Sequence, residues 1–142
     1  MIVRVATLCD YAQVREQMLT VASAGVTRAY REKYPARMEV MLALMVEMSA
    51  ADAKMPHEIQ ARVEDSDGAK IAELGLAFQV GEIFDLDPGE MLVVPTVLDL
   101  REIELPRPGR YQVVVVPENA AEIPLSLRAA FTSERPFGRQ SD

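Results

Sequence analysis

The sequence predicts an all-β protein, an antiparallel β-sandwich of about seven to nine strands, immunoglobulin-like or C2-like. Three observations predict it. Several segments alternate apolar and polar residues with period two, so each can bury one face. Asp, Pro and Gly clusters separate these segments at regular spacing, as hairpin turns require. A β-branched run over 111–116 directly follows the turn signal Pro106-Arg107-Pro108-Gly109.

In chain order, 3–8, 19–23 and 26–30 are short strand candidates, and the polar stretch 13–17 reads as a turn or short helix. In 38–48 every even position is apolar, from Met38 through Leu42 and Leu44 to Met48, with Met41, Ala43 and Met45 between them. That pattern predicts a strand apolar at the centre of both faces. Met38, Met41, Met45 and Met48 also repeat at helical spacing, so an α+β fold with residues 38–48 helical is the alternative. The small-residue segment 49–56 reads as a loop with at most one helical turn.

Ile59, Ala61 and Val63 define the buried face of a strand over 57–64, and Leu74, Leu76, Phe78 and Val80 that of the next. Asp65-Ser66-Asp67-Gly68 joins them as a hairpin loop. Asp87-Pro88-Gly89 is a further turn before a strand over 91–100. A last strand runs over 122–131, where Pro124 removes a ladder donor and places it at a sheet edge. Residues 1–131 read as one domain, and 132–142, which lose all periodicity, as a mobile tail.

A chain of 142 residues with 49% hydrophobic and 26% charged residues can build a core without metal or disulfide. Tryptophan is absent and methionine numbers eight, so that core is aliphatic. The net charge of −7, with no two Lys or Arg adjacent, argues against a nucleic-acid partner. No segment is long and apolar enough to span a membrane, and the first residues lack a secretory pattern. Cys9 is the single cysteine, so a reducing, cytoplasmic setting is expected.

Few residues suggest chemistry. Cys9 and His57, the single histidine, supply a thiol and a base by inventory, yet no thiol-enzyme motif surrounds Cys9. Cys9 is expected to end a strand in a buried position, with Asp10 capping the next turn, and His57 to start a strand half-exposed. Asp65, Asp67, Asp85 and Asp87 are weak calcium candidates if their loops converge, although turns need these residues for their own geometry. No phosphate loop, zinc spacing or nucleophile elbow is present, so neither a catalytic group, a metal site nor a cofactor is assigned.

The ordered set Leu8-Cys9-Asp10-Tyr11-Ala12, Tyr34-Pro35, residues 62–68, Leu98-Asp99-Leu100 and residues 105–111 resembles an uncharacterised family of small bacterial proteins, largely actinobacterial, with an LCD-x-A opening. The resemblance covers nearly the whole chain except the tail. It implies a fold and a strand at 38–48, but no activity. Pro108-Gly109-x-Tyr111 resembles the turn before a late strand in immunoglobulin-like sandwiches, which implies an inward tyrosine.

The expected role is therefore a non-catalytic binding or scaffold module that self-associates as a homodimer, or binds another protein, through the apolar face at Met41, Ala43 and Met45 opposite the main core, with burial of that face under the chain's own loops as the alternative. A calcium-dependent lipid- or sugar-binding sandwich and a thiol enzyme or redox sensor at Cys9 are the alternatives.

Overall fold

The computed structural model describes residues 1–81 and 85–136. Among them are eleven strands, in two sheets and one short ribbon. The first sheet contains β1 (Ile2–Arg15), β2 (Met18–Ala24), β5 (Met41–Met48) and β8 (Leu92–Asp99), in the order β2-β1-β5-β8. The second contains β3 (Arg28–Arg31), β6 (His57–Asp65), β7 (Lys70–Phe78), β10 (Gly109–Pro117) and β11 (Ile123–Phe131), in the order β3-β11-β10-β6-β7. The ribbon pairs β4 (Ala36–Arg37) with β9 (Glu104–Leu105).

The sheets pack face to face because their inner positions are apolar apart from His57 and Thr96. Leu42, Leu44, Val46 and Met48 project from β5 into the same cluster as Ile59, Ala61 and Val63 of β6 and Val113 and Val115 of β10. Full burial of each large side chain contributes roughly 1.5–3 kcal/mol, so this layer is the main source of stability.

The strand reading of 38–48 holds from Met41 onward. β5 is laddered on both sides, to β1 and to β8, which leaves no backbone groups for a helix. Glu39, at φ 53°, ends the regularity upstream, while Met38 and Val40 remain buried. The helical alternative is overturned.

Three further expectations need correction. The polar stretch 13–17 is no helix. β1 runs through Arg15, and Glu16 and Gln17, at φ 52° and 62°, make a two-residue turn that pairs Arg15 with Met18. The turn lacks the usual Asn-Gly signature, which hid it. Secondly, β11 is not an edge strand, since β3 lies beside it. β3 pairs only Arg128 to Phe131, so Pro124 has no neighbour on that side and its missing N–H costs nothing there. Thirdly, β3 and β11 run parallel, whereas the other strand pairs among the described residues are antiparallel.

The predicted tail, 132–142, is described only at its start. Thr132–Glu134 forms a 3-10 turn whose Glu134 carboxylate accepts from the Phe131 N–H at 2.8 Å. The Arg135 guanidinium lies 5.0 Å from the centre of the Tyr30 ring. The rest of the predicted tail, 137–142, lies outside the described residues. Between β5 and β6, one helical turn, α1 (Ala50–Ala53), is capped by the Ser49 hydroxyl, which accepts from the Asp52 N–H at 3.1 Å.

Candidate functional site

The motif at the start of the chain is structural. Leu8 faces the main core, while Cys9 points to the opposite side of its sheet and is 0% exposed. Its thiol donates to the Met41 carbonyl at 3.4 Å, and burial pushes its pKa up. Asp10 caps no turn. It is an exposed residue within β1, and strand alternation breaks there, opposite Ser23 at φ 56°. Beyond that break Ala12 of β1 and Leu19 and Val21 of β2 join a second apolar cluster with Cys9, Met41, Ala43 and Val97.

The expected self-association face is thus covered by the chain itself in its main part. Met41 is 6% and Ala43 0% exposed beneath the β1–β2 hairpin, and only Met45 is half-buried beyond it. Past the hairpin, the outer face carries the cross-strand rows Val5–Met45–Pro95 and Ile2–Glu47–Val93. Ile2, Val5 and Val93 are each 45% exposed there.

His57 is buried rather than half-exposed, at 9%. Its Nδ1 lies 3.2 Å from the Glu118 carboxylate and its Nε2 2.6 Å from the Asp52 carbonyl oxygen, so both ring nitrogens are engaged. Glu118 also accepts from the Glu58 N–H at 2.6 Å, tying the start of β6 to the end of β10. Cys9 and His57 sit in different sheets, and Cys9 faces away from the core between them.

The acidic candidates do not converge. Asp65 and Asp67 are in the β6–β7 turn, where Asp65 accepts from the N–H groups of Asp67 and Ala69 at 2.9 Å and from Arg107 at 3.1 Å. These donors, the Ala69 N–H first, hold its carboxyl below the usual carboxylate range. Gly68, at φ 80°, completes the turn by donating to the Asp65 carbonyl. Asp87 instead lies with Ser49 and Ala50 beside α1, and Asp85 is in the same loop. That is the opposite end of nine-residue β6, about 26 Å away at 3.3 Å per residue. Among the described residues no three His, Cys, Asp or Glu side chains are grouped to hold a metal ion.

Pro108 and Gly109 lead into β10 as expected, and Tyr111 is inward and buried. Its hydroxyl donates to the Arg107 carbonyl and accepts from the Arg107 N–H at 3.3 Å. The turn is thereby fastened four residues upstream, and Tyr111 itself pairs in register with Leu127 of β11 and Asp65 of β6.

That register creates a feature with no counterpart in the linear sequence. On the outer face of the second sheet, Arg28 of β3 pairs with Arg128 of β11, which pairs with Arg110 of β10. With neighbouring strands about 4.8 Å apart, three arginines are rooted within about 10 Å. All three are exposed, and among the described residues none has an ion-pair or side-chain hydrogen-bond partner. They line an open groove of 620 Å³ with Ser126, Gln112 and Ser66. The acids bordering it are committed elsewhere, Asp65 to Arg107 and Glu64 to Arg62.

The linear sequence hides this row, because Arg110 stands 82 residues after Arg28 and 18 before Arg128. Alternation around Leu127 and Ala129 puts Arg128 on an outer face, but only strand register reveals its neighbours.

Fold and surface together define a two-sheet β-sandwich with a covered thiol and a polar groove on one outer face. The chain belongs to the Family of unknown function (DUF6941), whose family model matches residues 4–130. No curated protein matches it. Among the described residues no helix is long and apolar enough to cross a membrane.

Proposed function

We propose that the protein is a non-catalytic binding module that presents the outer face of β3, β11 and β10 to a ligand. The groove carries this reading. Its volume of 620 Å³ is in the range of small-molecule sites, and its polar side chains stand on a rigid five-stranded sheet. The thiol and imidazole, by contrast, are each tied into backbone contacts that stabilise the fold. A bacterial, cytoplasmic setting belongs to the same reading, from the LCD-x-A opening and the single thiol. Amide chemical shifts recorded against a panel of neutral, cationic and anionic small molecules test it. Shifts clustered at Gln112, Ser126 and Arg128 are expected, and a panel that leaves those amides unmoved overturns it.

A second reading, a homodimer through the half of the first sheet's outer face beyond the β1–β2 hairpin, is favoured by one observation. That patch carries both signs of charge. Arg4 pairs with Glu47 at 3.1 Å between the exposed side chains of Ile2, Val5 and Val93. A two-fold axis through the patch would set Arg4 of each copy against Glu47 of the other, so the surface complements itself. Light scattering should give twice the chain mass of 15.7 kDa, reverting to one chain in Met45→Glu. A single-chain mass at every concentration rules this reading out.

A further inference from the structure

We infer that the groove on β3, β11 and β10 is a binding site for a phosphoryl group carrying two or more negative charges, as in a phosphate ester or a diphosphate. This rests on the binding reading above and names its ligand class. Arg28, Arg128 and Arg110 occupy one cross-strand row, where like charges side by side oppose folding. A chain with 22 acidic residues and a net charge of −7 nonetheless leaves this row without a carboxylate partner among the described residues. The two acids that border it are already held by Arg62 and Arg107.

Ligand chemistry follows from the donors. Each guanidinium offers a planar fork of N–H groups that matches two oxygens of one anion. One carboxylate has two oxygens and one charge, enough for a single fork. A phosphoryl group offers three terminal oxygens and about two charges, and a diphosphate more, enough to bridge neighbouring forks across strands about 4.8 Å apart. The next cross-strand pair, Gln112 and Ser126, adds an amide and a hydroxyl to the same groove. The bordering acids Glu64 and Asp65 lie on the β6 side, so the anion is expected over Arg28 and Arg128. Net negative charge argues against a polyanion as long as nucleic acid, whose further phosphates would meet acidic surface.

Thermal melting with sodium pyrophosphate, against sodium chloride and sodium acetate at matched ionic strength, tests this on the full chain. Pyrophosphate is expected to raise the melting temperature saturably, by about 5 °C, with acetate matching chloride. Arg128→Gln should weaken pyrophosphate binding on the order of tenfold to a hundredfold, and Arg15→Gln, at an exposed position on the other sheet, should leave it unchanged. Should Arg128→Gln fold poorly, Arg28→Gln at the exposed edge strand gives the same readout. Adenosine diphosphate separates the sources. Binding at least tenfold tighter than pyrophosphate identifies a phosphorylated small molecule, and equal binding an inorganic anion, both within the proposed class. An unsaturable effect, or one retained in both groove variants, overturns the proposal. If neutral or cationic compounds move the groove amides while pyrophosphate has no effect, the phosphoryl assignment fails and the binding reading stands.

Discussion

Arg128 of β11 and Arg28 of β3 lie side by side in the one parallel strand pair among the described residues. Arg110 flanks Arg128 on its other side, so the central arginine has a like charge on each neighbouring strand. Without an anion, this arrangement destabilises the sheet. Arg128→Gln should therefore raise stability at about 0.01 M salt by a few tenths to about 1 kcal/mol. The gain should shrink at about 0.1 M and above, as counterions screen the row. Urea unfolding of both proteins across salt concentrations measures it.

Met41 behaves as a core residue on what is formally the outer face of its sheet, because the β1–β2 hairpin covers it. Met41→Ala should cost about 2–4 kcal/mol in chemical denaturation, as expected for truncating a buried methionine. Met45→Ala, at a half-buried position beyond the hairpin, should cost about 1 kcal/mol or less.

Cys9 should be unreactive until the hairpin opens. Burial disfavours its thiolate, and its thiol already donates to the Met41 carbonyl. Iodoacetamide should label Cys9 in denaturant and leave it unlabelled in the folded protein, as read by mass spectrometry. Rapid labelling of the folded protein would contradict the covered arrangement.

Acid should weaken the β6–β7 turn and the end of β8. Asp65 is held low by the Ala69 N–H and further donors, and Asp99 by the Arg101 side chain. A carboxyl with a folded pKa below its unfolded value stabilises fully above the unfolded value, and that contribution is lost as pH falls through the folded one. Asp65→Asn should therefore flatten the stability–pH curve below about pH 4 and leave the variant less stable at neutral pH. Thermal melts across that range check the sign.

Period-two patterning was enough to recognise β6, β7 and β11, since each turns one apolar face inward that alternation exposes directly. β10 was legible instead as a β-branched run after a turn, and β5, apolar on both faces, only through the hairpin pattern around it. Where tertiary context decided, the sequence was mute. Glu16 and Gln17 turn a hairpin without turn-type residues, and that hairpin's curl over Met41 and Ala43 turned an apparent interface into a second core. β4 and β9 are two residues each, too short for any periodicity. The arginine row was the least legible feature, because Arg28, Arg110 and Arg128 become neighbours only through the registers of β3, β11 and β10.

Isothermal titration calorimetry of pyrophosphate into the full chain tests the central claim most directly. One bound anion per chain is predicted, with the heat largely lost in Arg128→Gln and with affinity falling as salt rises. Dilution heat alone, or the same isotherm in wild type and Arg128→Gln, would contradict the assignment of the groove as the binding site.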